Sequence, residues 1–99
     1  MTEEQGSPGN PGDDERVRCW LVERTYDDKG LVRIVYATAD GTRAVTTERS
    51  AALLNRQPAT AAKMVPVDSL TAVTTADTRK RYATEARRMR ERHDPSDEV

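Results

Sequence analysis

Two stretches near the start of this chain carry the apolar pattern of β-strands. Arg16 to Tyr26 reads RVRCWLVERTY and Leu31 to Ala37 reads LVRIVYA, both rich in β-branched and aromatic residues. Asp27-Asp28-Lys29-Gly30 between them suits a type I turn, with Asp leading and Gly supplying the left-handed residue of a bulge. That turn pairs Asp27 with Leu31. Counting from it sets Tyr26 opposite Val32, Arg24 opposite Ile34 and Val22 opposite Tyr36. Trp20, Val22, Tyr26, Val32, Ile34 and Tyr36 then share one face, which is the predicted core. Asp40-Gly41 is a preferred dipeptide for a two-residue type I′ loop. Counting outward from Ala39 opposite Thr42 brings Val45 opposite Tyr36, on the same face. The two turns agree on a three-stranded antiparallel meander over residues 16–47.

Beyond the meander the period lengthens. Thr46 or Thr47 reads as a helix N-cap before ERSAALLNRQ, with Leu53 and Leu54 as the buried pair and Pro58 as the stop. Residues 59–63 carry no decisive pattern. Met64 to Val67 is apolar, but Pro66 lacks a ladder donor, so an edge strand or an extended segment is expected. Asp68 to Thr75 fits either a short helical turn or a loop laid over the core. Asp77 to His93 predicts the long helix: Thr78, Tyr82, Ala86, Met89 and His93 fall on one narrow stripe, and Asp94-Pro95 ends the run. Thr74 and Asp77 have the spacing of a capping box. The fold class predicted is α+β: a three-stranded meander against a C-terminal helix, with a short middle helix and an edge strand.

Composition adjusts this picture. Ninety-nine residues leave room for one core, and 35% hydrophobic residues with no Phe make it a lean one. Residues 1–15 hold three Gly, two Pro and five acids with almost nothing apolar, which predicts a disordered acidic tail. The domain is expected over 16–94, with 95–99 as a second acidic tail. The net charge of −1 conceals a segregation, because all sixteen Lys and Arg lie between Arg16 and His93 against nine acids. The first fifteen residues lack the basic start and apolar run of a secretory signal, and no apolar run is long enough to span a bilayer, so the expected location is cytoplasmic.

The residues exclude several chemistries. No Gly-rich turn joins a strand to a helix, so neither a P-loop nor a dinucleotide fingerprint is present. One Cys and one His make no zinc constellation, and the Asp pairs lack the spacing of a calcium loop. Cys19, inside an apolar run, reads as a small buried hydrophobe, and His93 as a helix C-terminal residue. The chain is expected to be no enzyme and to need no cofactor, metal or small-molecule ligand.

Two binding readings remain. On the register above, Val17, Cys19, Leu21, Val35 and Ala37 share the second face of the sheet. Either the middle segment covers that face or it serves a protein partner or a second copy, with Val17, Leu21 and Val35 as the interface. The alternative is the basic helix, where Arg79, Lys80, Arg87, Arg88 and Arg90 could meet nucleic-acid phosphates. Against it, i to i+4 pairs such as Arg87 with Glu91 ladder part of that charge along the helix.

The stretches RVRCWLVERTYDDKGLVRIVYATADGTR and DTRKRYATEARRMRERHDP together resemble a group of short, uncharacterised haloarchaeal proteins. Those share a WLVERTY-like first strand, a YAT-x-DG-x-R hairpin and a DTR-x-RYA-x-EA-x-RM helix. The resemblance spans Arg16 to Pro95 with a divergent middle, and it implies no activity. The basic core and the Ala-rich middle depart from the group's acidic pattern.

Overall fold

The computed structural model describes residues 15–99. The first apolar run forms strand β1, Arg16–Tyr26, and the second forms β2, Leu31–Thr38. Asp27 closes the turn between them from both sides. Its N–H donates to the Leu31 carbonyl at 3.0 Å, and its Oδ1 accepts from the N–H groups of Lys29 and Leu31. Gly30 takes the left-handed conformation at φ +86, as the sequence predicts.

Strand β3, Arg43–Ser50, follows the second turn with Tyr36 opposite Val45, the expected register. The loop itself differs. The Gly41 N–H bonds back to the Thr38 carbonyl, so the turn is centred on Ala39 and Asp40. The Asp40 carboxylate fastens it, accepting from the hydroxyls of Thr38 and Thr42 and from the Thr42 N–H. These bonds hold its pKa at about 2, well below the ordinary carboxylate value.

β3 also runs further than predicted. Pairing continues to Ser50 opposite Leu31, so the residues expected to open a helix are spent in the sheet. Two β-branched threonines with a partner strand alongside favour that outcome over a local cap. Ser50, not Thr46 or Thr47, is the N-cap, its hydroxyl accepting from the Leu53 N–H at 3.0 Å. Helix α1 is correspondingly short, Ala51–Arg56, and Leu53 and Leu54 are half-buried.

Strand β4, Ala62–Pro66, pairs with β1 at the sheet edge, where Pro66 costs no ladder bond. A 3₁₀ turn at Val67–Ser69 leads to β5, Thr71–Ala72, on the far edge against β3. The sheet is thus five-stranded and antiparallel, in the order β4-β1-β2-β3-β5. Helix α2, Ala76–Arg92, lies across β1 and β2, burying Ala86 with Tyr82 and Met89 beside it. Its N-cap is Thr75 and carries no side-chain cap, so the predicted capping box does not form.

One irregularity changes the core. β1 pairs Leu21 with Tyr36 and then Glu23 with Val35, so a bulge at Val22 shifts the register by one residue. A one-residue slip sends every side chain beyond it to the other face. The predicted single face is therefore divided. Trp20 and Val22 join Val35 and Ala37 beneath α2, whereas Val32, Ile34 and Tyr36 join Cys19, Leu21 and Val65 on the opposite side. Tyr26, expected in the core, is 67% exposed.

The second face is closed by the chain itself. The α1 region brings Leu54 and Ala59 over it, and Val99 packs there too. Residues 95–99 are consequently no free tail. The carbonyls of Pro95 and Asp97 accept from the N–H groups of Ala62 and Ala61, and the Val99 N–H donates to Ala59. Glu15 is likewise tied down, its carbonyl accepting from Val67. The rest of the predicted N-terminal tail, 1–14, lies outside the described residues.

Candidate functional site

The two surfaces singled out by the sequence fare differently. Leu21 and Val35 are 6% and 3% exposed, and they sit in different clusters, Leu21 with the half-buried Val17 and Val35 beneath α2. Three residues divided between two covered faces form no docking surface, which corrects the expected protein interface. The bulge separates them, and self-coverage buries them.

The basic helix remains a surface. Tyr82, Ala86 and Met89 turn toward the sheet, which leaves Lys80, Arg81, Arg87, Arg88, Arg90 and Arg92 exposed. Several are already engaged. Arg81 pairs with Glu23 of β1 at 2.8 Å, and this side-chain bond raises its pKa above the ordinary value. Arg88 pairs with Glu85 at 2.9 Å, and Arg79 donates to the Val73 carbonyl. Among the described residues no acid lies within ion-pair distance of Lys80, Arg87, Arg90 or Arg92. Lys80 and Arg87 stand seven residues apart, two helical turns, so both point outward on one line with Arg90 one turn beyond. Of the predicted phosphate contacts, the structure thus leaves Lys80, Arg87 and Arg90 available and engages Arg79 and Arg88.

Cys19 is fully buried in the second core cluster, and burial raises its thiol pKa above the ordinary value. His93 caps the end of α2, its N–H bonding to the Met89 carbonyl and its Nδ1 lying 3.7 Å from Asp97 Oδ2. Cys19 and His93 thus occupy separate places in the fold. Among the described residues no three His, Cys, Asp or Glu side chains converge as a metal site would require. No helix there is long and apolar enough to cross a membrane.

A second group of cations was not singled out by the sequence reading. Arg24, Arg49 and Lys63 gather on the face opposite α2, around Tyr36. The Tyr36 hydroxyl donates to the Thr60 carbonyl at 2.6 Å, and Lys63 Nζ sits 4.6 Å from the centre of its ring. Arg24 Nη2 donates to the Val99 main-chain oxygen at 2.8 Å, while its Nε is buried without a partner. One signal was legible: the predicted register already set Arg24 opposite Ile34, a cation on an otherwise apolar face.

A five-stranded antiparallel sheet, one long helix on one face and a short helix with irregular chain on the other define a small α+β fold. The chain belongs to a family of unknown function, DUF7967, whose model matches residues 13–99. That match agrees with the resemblance in pointing to an uncharacterised family, and it carries no source organism. No curated protein and no solved structure matches the chain.

Proposed function

We propose that this protein is a non-enzymatic interaction domain that binds nucleic acid through the outer face of α2. One observation carries the reading: Lys80, Arg87 and Arg90 stand exposed along one side of a helix whose other side, with Tyr82, Ala86 and Met89, packs on the sheet. Seven bases against three acids on α2 supply the field that phosphates would meet. The helix's one aromatic, Tyr82, is half-buried beside Arg81, so the surface offers charge without a stacking platform. Backbone contact without base selection follows from that chemistry.

Fluorescence anisotropy with a labelled duplex tests this. Affinity should fall with salt at a log-log slope of about −0.9 per phosphate neutralised. Replacing Lys80, Arg87 and Arg90 by Gln should abolish binding and leave the circular dichroism unchanged. Binding that survives this replacement, or no binding by the unmodified protein at low salt, sinks the proposal.

A protein partner is the second reading, favoured by the outer edge of β3. Beyond Ala44 that edge has no strand partner among the described residues, since β5 covers only Arg43 and Ala44. An extended peptide could add there. Loss of self-association or partner capture when Thr46 becomes Pro, with DNA binding intact, would select this reading instead.

A further inference from the structure

The cations on the face opposite α2 line two adjoining hollows that share Pro58 and Ala59. One, of about 300 Å³, has Arg24 at its wall and is otherwise lined mainly by apolar groups, among them Val32, Leu54 and Pro58. The other, of about 100 Å³, is bordered by Arg49, Lys63 and Tyr36. Among the described residues no Asp or Glu lines either hollow, and Val99, whose main-chain oxygen accepts from Arg24 Nη2 at 2.8 Å, lines the larger one. Three cations around one tyrosine repel each other at a half-buried place. Burial, and then the neighbouring Arg49, lower the Lys63 pKa from its ordinary value. The buried Arg24 Nε–H, unlike nearly every buried donor, has no acceptor.

An anion would offset the mutual repulsion of these cations, and the cavity shape restricts its kind. Arg24 borders the larger hollow and Arg49 and Lys63 the smaller, and the two meet at Pro58 and Ala59. The larger hollow is apolar, and a cavity of roughly 150 Å³ suffices for a benzene ring. We propose that this groove binds a small organic carboxylate, its head between Arg24, Arg49 and Lys63 and its hydrocarbon body against Val32, Leu54 and Pro58. The planar guanidinium fork matches a carboxylate in two-point geometry. This site lies across the sheet from α2 and is independent of nucleic-acid binding.

The test is a ¹H–¹⁵N NMR titration of the full chain with hexanoate at fixed ionic strength, run beside hexanamide and inorganic phosphate. Hexanoate should produce saturable shifts at the Val32, Leu54 and Ala59 amides, with hexanamide at least tenfold weaker. Losing one charged hydrogen-bonding partner should weaken hexanoate about tenfold in Arg24→Gln and in Lys63→Gln. The Lys80, Arg87 and Arg90 triple Gln variant should bind hexanoate as the unmodified protein does. Equal shifts with hexanamide would overturn the proposal, as would saturation by phosphate below the hexanoate concentration or affinity unchanged in both single variants. Should either single variant fail to fold, the comparison of hexanoate with hexanamide still decides, because it uses the unaltered chain.

Discussion

The two faces of the sheet are covered by different means. Beneath α2, Val22, Val35, Ala37 and Ala86 cluster around Trp20, and a hollow of about 550 Å³ remains near the start of the helix, lined by Val35, Thr78 and Tyr82 among others. A regular helix can approach a sheet closely wherever small residues face it. On the other side the cover is a six-residue helix, an irregular segment and residues 95–99, and hollows remain beneath it. On the α2 side the partly buried Glu23 is answered by Arg81 of the helix. Arg24, Arg49 and Lys63 all sit on the second side, whereas Lys80, Arg87, Arg90 and Arg92 of α2 are exposed.

Gly41 offers the sharpest break of this contrast. Its φ is +75, and a Cβ there would collide with the Arg79 carbonyl oxygen and lie 2.8 Å from the Ala83 nitrogen. Both neighbours are main-chain atoms of α2, which cannot step aside singly. Gly41→Ala should destabilise the fold by about 4 kcal/mol, combining left-handed strain with a forced shift of the helix. Gly30 has φ +86 and nothing within 4 Å of such a Cβ. Gly30→Ala should cost only about 1 kcal/mol. Urea unfolding of the two variants measures the difference, and equal losses would mean that α2 does not bear on the hairpin.

Ending the chain at Asp94 removes three main-chain hydrogen bonds to Ala59, Ala61 and Ala62 and the Arg24 bond to Val99 from the irregular side. A loss of about 2 to 3 kcal/mol is expected in the same assay. No loss would show that this cover is not stabilising.

Tyr36 reports on the same side. Removing its hydroxyl in Tyr36→Phe leaves the Thr60 carbonyl without that donor and should cost about 1 kcal/mol at neutral pH. Burial raises the Tyr36 pKa above 10.0, despite the Thr60 bond and the nearby arginines. A folded-state pKa above the unfolded value gives stability that is complete below pH 10 and is lost as pH rises through the folded value. Melting temperatures between pH 9 and 11 should show a decline in the native chain that is smaller in Tyr36→Phe.

The smallest effect expected is at the second hairpin. The pKa of Asp40 is about 2 in the folded chain against an ordinary 3.8, so its contribution is present above the ordinary value and is lost as pH falls toward 2. The residue is exposed and screened, so the loss should stay below about 1 kcal/mol. Asp40→Asn should flatten the acid side of the stability curve by that amount, and an unchanged acid limb would detach these bonds from stability.

The local elements were legible wherever a short stretch contains its own instructions. Asp27 and Gly30 specify a turn by hydrogen bonding and φ, and Gly41 marks the second in the same way. The stripe Thr78, Tyr82, Ala86, Met89 placed α2 to within a residue at each end. Arg87 and Arg90 were legible as exposed cations because a helix with one apolar stripe turns its other side outward. The bulge at Val22 left no such trace. Cys19, Trp20, Leu21 and Val22 are all buried, so the run has no alternation from which a slip could be read.

What the sequence determined by itself was therefore the hairpins, the long helix and the α+β class, since each depends on interactions within a few residues. Tertiary structure alone decided the division of the core into two clusters, the length of β3, the capture of residues 95–99 and the meeting of Arg24, Arg49 and Lys63 around Tyr36. Each of these depends on groups far apart along the chain. Their energies come from whichever backbone and side chains the folded sheet brings alongside, and local pattern holds no record of that choice.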